Sequence, residues 1–292
     1  MIISGMDTTE VINLLSDFYS IENTLKRRGF DVKDIEGSKK VIQNSQDFYE
    51  EFKSFSFRQV LRSIYDSDCG LCKDDILQKF SNLSDSFLSK KLNFMVQTGC
   101  VSKEPNTGKY LRCNDRNFGR TFEWFISEIM KREMCGISAS GIKILNLKCG
   151  GDFDVIARLE DLLIYIECKS GSIFNISETD LTNFIARCRE LAPSLSICLF
   201  DTNGLPDEFK GKFLKADWEK HGLKPREPKK RRIKNRGIFY ELYPRIVTLT
   251  SEGNLIGNIK LSINHFFGNV KPFGLMAPGP DKLSKLYDEY ER

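Results

Sequence analysis

The stretch Gly150–Gly171, GGDFDVIARLEDLLIYIECKSG, decides how this chain is read. Phe153, Val155, Ala157 and Leu159 alternate with Asp154, Ile156 and Arg158, the period-two pattern of a half-buried strand. Glu160-Asp161 reads as a turn, and Leu162 to Lys169 as a second strand, apolar almost to its end. Glu167 and Lys169 are two apart and share a face, with Cys168 on the other. Asp152 and Asp154 share a face in the first strand. A hairpin of this shape gathers two carboxylates and an ammonium at one spot.

Asp154, twelve intervening residues, then Glu167-x-Lys169 resembles the PD-(D/E)xK nuclease superfamily, the restriction-endonuclease-like fold. The flanking GGDFDV and IECKSG strings carry the likeness further, although no proline precedes the aspartate. The resemblance implies a bound Mg²⁺ or Mn²⁺ held by Asp154, Glu167 and the backbone carbonyl of Cys168. Such an ion takes hard oxygen ligands and needs only one or two carboxylates beside substrate phosphate. Lys169 would orient or activate a water and offset charge developing on the phosphate. A helix before the hairpin often supplies a further carboxylate in this superfamily. Glu123, in Phe122-Glu123-Trp124-Phe125-Ile126, is the candidate, with Glu128 as competitor. Arg187, on the helix after the second strand, is the candidate for a phosphate contact.

Working outward, the expected architecture is α/β: a helical and winged-helix N-terminal region followed by an αβββαβ nuclease-like core. Residues 1–54 read as a helical segment, with Val11, Leu14, Leu15, Phe18, Ile21 and Leu25 at helical spacing. Residues 55–113 read as a winged-helix-like module. Its third helix is capped at Ser84 or Asp85, turns Phe87, Leu88, Leu92, Met95 and Val96 inward, and exposes Ser86, Ser89, Lys90, Lys91 and Asn93. Such residues enter the major groove in helix-turn-helix proteins, and Lys90 and Lys91 are the candidate contacts. Residues 114–270 are the core: a helix with Phe122, Phe125, Ile126 and Ile129 on one side, a strand including Ile142 to Leu147, and the hairpin. A helix from Ser177 or Thr179 to Leu191 and a buried strand over Leu195 to Phe200 follow. A strand over Ile246 to Leu249 and a helix capped by Ser251 or Asn254 extend the sheet. Residues 271–292 are a proline-containing tail with a short charged helix from Asp281.

Charge is uneven. The chain carries net +4, yet residues 203–236, read as an insertion, concentrate base: 208–236 hold 12 Lys/Arg against 4 Asp/Glu. Lys229, Lys230, Arg231, Arg232, Lys234 and Arg236 are candidate nucleic-acid contacts, because neutralising phosphates releases counterions. Beside the hairpin, a flexible clamp on the nucleic-acid backbone is the more economical reading, and a nuclear-localisation-like signal or a solvated loop is the plainer alternative.

Nine cysteines scattered through apolar stretches read as reduced, packed thiols, and Cys69/Cys72 as packing in preference to a zinc site. No run of about 18 apolar residues and no secretory start are found, so the expected compartment is the cytoplasm. With two histidines, no nucleophile elbow and no P-loop, acyl transfer and nucleotide-driven work are poorly supported. The expected activity is metal-dependent endonucleolytic hydrolysis of phosphodiester bonds, in DNA in preference to RNA. A homodimer would bring two sites to a duplex. The alternatives are a non-catalytic nucleic-acid-binding regulator and an interaction scaffold.

Overall fold

The computed structural model describes residues 20–33, 46–113, 117–150, 152–171, 176–204, 209, 212, 229–233, 237–243 and 245–269. The helical expectations for 7–19 and from Asp281, and the candidates Lys234 and Arg236, lie outside them. The fold is mixed α/β. Two units divide the chain, one of residues 1–35 and 127–292, the other of 36–126. Within the first unit, Ile21 and Leu25 belong to the same apolar cluster as Val32, Ile142 and Phe153.

The larger unit is built on one 8-stranded sheet. Its strands are β1 (Val32–Lys33), β4 (Ile137–Ile144), β5 (Asp152–Leu159), β6 (Leu162–Lys169), β7 (Leu195–Phe200), β8 (Lys229–Ile233), β9 (Gly237–Tyr243) and β10 (Ile246–Thr250). Their spatial order is β1-β4-β5-β6-β7-β10-β9-β8. The pairs β6–β7 and β7–β10 are parallel; the others are antiparallel. Helices α1 (Ile21–Arg27), α7 (Glu178–Leu191) and α8 (Leu255–Asn269) belong here. Helix α6 (Phe118–Arg132) contributes its last turns, from Ser127 on.

The central strands are buried on both faces, which is why β7 (LSICLF) is buried at every position. The half-buried alternation expected for β5 is corrected on the same ground: Ile156, assigned to the polar side, is fully buried. Phe153 and Ile156, three apart, even join one cluster. Strict alternation therefore breaks between them, beside Gly141, whose φ is 63° and which lies between the pairs Ser140↔Val155 and Ile142↔Phe153. Asp154 sits at this break. Strand β4 stops at Ile144, short of the expected Leu147, and Leu145 is 56% exposed.

Helix α7 starts where sequence chemistry places it. Ser177 Oγ accepts from the Asp180 N–H while Asp180 accepts from the Ser177 N–H, a reciprocal cap. Asn254 caps α8 through the Gly257 N–H, whereas Ser251 donates instead to Asp201. The basic insertion is partly strand: β8 pairs with β9 from Lys229↔Glu241 to Ile233↔Gly237 and forms a sheet edge. Neither strand was expected.

The smaller unit holds α2 (Gln46–Phe52), α3 (Phe55–Tyr65), α4 (Lys73–Lys79), α5 (Asp85–Gln97), a ribbon of β2 (Val101–Lys103) with β3 (Tyr110–Arg112), and the first turns of α6. Leu71 bridges to Tyr110 ahead of α4. The approach is tight: a Cβ on Gly70, whose φ is 70°, would lie 2.8 Å from the Tyr110 carbonyl oxygen. Ser84 caps α5, and Leu88, Leu92 and Met95 form its buried stripe. Val96 falls off that stripe and is exposed, against expectation. Cys72 is the N-cap of α4, and all nine cysteines are free. Among the described residues no helix is long and apolar enough to cross a membrane.

Candidate functional site

A two-residue turn at Glu160-Asp161 sets Leu159 opposite Leu162, and the β5–β6 register then runs to Val155↔Ile166. One step further brings Asp154 to the level of Glu167. There the backbone ladder ends, and a side chain replaces it: Asp154 Oδ2 accepts from the Cys168 N–H at 2.7 Å. Asp154 Oδ1 makes no hydrogen bond among the described residues.

Glu167 is nearly fully buried, and both its oxygens are engaged. Oε1 lies 2.8 Å from Lys169 Nζ. Oε2 accepts from Arg187 Nη1 at 2.8 Å and from the Tyr165 hydroxyl. Tyr165 is two residues before Glu167 on β6, and Arg187 projects from α7. Lys169 ends β6 at the rung Lys169↔Phe200↔Thr250, where β7 and β10 also end. Its carbonyl accepts from the Asp201 N–H at 3.0 Å, and Ser251 binds Asp201 in turn at 2.6 Å. The site therefore lies at the carboxyl ends of three neighbouring parallel strands, where open α/β sheets bind ligands.

Burial and the charge of Glu167 push the Asp154 carboxyl up to about 7, against the opposing Cys168 N–H, Lys169 and Arg187. Burial would raise Glu167 too, but Lys169 and Arg187 outweigh it and hold it below the ordinary carboxylate value. Burial works against the Lys169 ammonium, yet Glu167 raises it overall, so Lys169 stays protonated. Burial and Glu167 raise Tyr165 well above its usual range, keeping it a donor. With Asp154 ionised, two carboxylates face two cations, and the group is neutral.

A hard divalent cation fits the donor set on two counts. Asp154 presents an oxygen with no protein partner among the described residues, and the burial and the charge of Glu167 that raise its pKa both disfavour a bare carboxylate that such an ion would neutralise. Asp154 Oδ1 and Glu167 Oε1 would hold it, the second after Lys169 moves away. Among the described residues, however, no group of three or more His, Cys, Asp or Glu side chains is placed to hold a metal. Glu123 is half-buried and belongs to the smaller unit, while Asp154 and Glu167 belong to the larger. Glu128 is paired with Lys131 and Arg132.

The expected constellation of Asp154, Glu167 and Lys169 is thus brought together. Arg187 joins it as a partner of Glu167. Cys168 contributes its N–H to Asp154. Lys90 is exposed, whereas Lys91 is paired with Glu51 and lies over the Phe87 ring at 5.1 Å. Tyr165 escaped sequence reading because it stands in an apolar run, LLIYIE; its position two before Glu167 was the available signal.

No protein-family model matches the chain, and no curated protein matches it. Among solved structures, protein VC1899 from Vibrio cholerae aligns over 70% of this chain and 56% of its own, at 15% identity and TM-score 0.39. Can2 from Sulfobacillus thermosulfidooxidans, solved with cyclic tetra-adenylate, aligns over 68% and 55%, at 13% identity and TM-score 0.38. The chain thus spans a little over half the length of each, and likenesses this slight carry no argument about its activity.

Proposed function

We propose that this chain is a Mg²⁺- or Mn²⁺-dependent nuclease that hydrolyses phosphodiester bonds, in DNA in preference to RNA. One observation carries the reading: a two-residue turn brings Asp154 level with Glu167 while Lys169 reaches Glu167 at 2.8 Å, at the end of the sheet where the parallel strands β6, β7 and β10 terminate. When bound, the cation would polarise the phosphate and acidify a water. Asp154 and Glu167 would orient that ion. Lys169, released from Glu167, would place its ammonium against the charge developing on the phosphate. Arg187 would keep a positive charge beside Glu167. With a divalent ion the group's charge becomes +2, which favours a polyanion.

The smaller unit supports a DNA-binding role. Its order of helix, bridge, two helices and ribbon fits a winged-helix reading, with α5 as the recognition helix. Ser86, Lys90, Asn93 and Gln97 are exposed along it at helical spacing and would meet base edges or phosphates. The β8 strand, Lys229–Ile233, would add backbone contacts. The test is cleavage of plasmid and labelled single strands with Mg²⁺, Mn²⁺ or EDTA. Metal-dependent cutting that Lys169→Ala abolishes is expected; equal cutting by that variant refutes the assignment.

A second reading has its own observation. Both Glu167 oxygens are already engaged, and no third acid joins the pair among the described residues. A non-catalytic nucleic-acid binder would have such a site, and its gel shift would be indifferent to divalent ions.

A further inference from the structure

The two oxygens of Glu167 are held in different ways. Oε2 takes two donors on a packed scaffold. Tyr165 is fully buried, its ring 5.1 Å from Phe153 and 5.8 Å from Phe184 between centroids. Arg187 reaches Oε2 from α7, which is anchored by the Ser177 cap and by the buried stripe Leu181, Phe184, Ile185, Cys188 and Leu191. Among the described residues the Nε of Arg187 is buried without a partner, and Nη1 to Glu167 holds this guanidinium. Among the described residues Oε1 has only Lys169, on a flexible stem that is 27% exposed. One oxygen is fixed by the fold; the other is held by a group that can leave.

We propose that Tyr165 and Arg187 are positioning residues that lock the Glu167 carboxylate with Oε1 turned toward the cation. This rests on the cation-binding half of the functional reading and assigns residues that the motif does not contain. A buried glutamate without them would be free to rotate about its last torsion, and each alternative orientation weakens the ion's second ligand. Hydrogen-bond partners behind metal ligands set affinity by about 10–100-fold when removed.

The experiment is calorimetric titration of the full chain with Mn²⁺, alongside cleavage at rising Mn²⁺. Tyr165→Phe removes only the hydroxyl, Arg187→Met removes the charge, and Arg187→Lys retains it. Tyr165→Phe and Arg187→Met are expected to lose about 10-fold or more in Mn²⁺ affinity, with Arg187→Lys between them and the parent. Cleavage should recover at saturating Mn²⁺. A folded Tyr165→Phe that binds Mn²⁺ like the parent overturns the proposal, as does equal affinity in Arg187→Lys and Arg187→Met. Should Tyr165→Phe fail to fold, the two Arg187 variants decide alone. A parent chain that binds no Mn²⁺ overturns the positioning proposal and the metal-dependent nuclease reading together. Affinity losses in a chain that cuts nothing uphold the positioning and sink only the nuclease.

Discussion

Asp154 titrates where cells work, and that makes it the residue to watch. Its folded pKa of about 7 lies above its ordinary 3.8, so the native state holds the proton more tightly than the unfolded chain. The stability this supplies is present in full below the ordinary value and is lost as pH rises through about 7. Glu167 has the opposite sign: its lowered pKa supplies stability above its ordinary 4.5 that is lost as pH falls. A cation at Asp154 must displace the proton. Mn²⁺ affinity should therefore rise about tenfold per pH unit below 7 and level off above it, and Asp154→Asn should bind weakly with no such slope. Calorimetry at pH 6, 7 and 8 reads both. The same variant still offers an acceptor to the Cys168 N–H. Thermal melts without metal should show it gaining stability over the parent as pH passes 7.

The β5–β6 hairpin is only as good as its register. A single residue inserted between Glu160 and Asp161 would slip one strand and part Asp154 from Glu167. Mn²⁺ binding should vanish, and retained binding would show that the register is not what assembles the site. Gly136, just ahead of β4, is a second constraint on this element. A Cβ there would lie 2.3 Å from Leu159 Cδ2 and 2.9 Å from the Arg158 carbonyl oxygen. Gly136→Ala should cost about 1–3 kcal/mol in urea denaturation. In the smaller unit, Arg58 is buried and donates to the carbonyls of Phe52 and Lys53 at 2.8 and 3.0 Å, closing the end of α2. Arg58→Met should cost about 1–3 kcal/mol because it strands buried acceptors.

Elements with strong local chemistry were legible in the sequence. The turn and flanking apolar runs announced the hairpin, Ser84 and Ser177 announced their helices, and Asp154, Glu167 and Lys169 came with them. What failed was decided by distant neighbours. KKRRI reads as part of a flexible basic run, yet an edge strand needs only one paired side, so β8 forms against β9 with no alternation to betray it. The partnership of Arg187 with Glu167 depends on how α7 lies on the sheet, which helical spacing does not encode.

Across the whole molecule, the sheet ties its chemistry to its charge. Strand pairing runs along one rung from Glu167 through Cys198, Thr248 and Tyr240 to Lys230. The basic edge thus stands level with the acidic pair, four strands away. Replacing Lys229, Lys230, Arg231 and Arg232 with glutamine should weaken binding without regard to base sequence. It should also flatten the dependence of log affinity on log salt by about 0.7–0.9 for each phosphate no longer neutralised. An unchanged salt slope would mean that this edge never meets the polyanion.

That rung also works as a ruler. Four strand spacings make about 19 Å, and at about 3.4 Å per nucleotide the gap equals roughly six nucleotides. On the proposed nuclease reading, oligonucleotides shorter than this would reach the acidic pair or the basic margin but never both, so turnover should climb with length until the molecule is bridged and then stop improving.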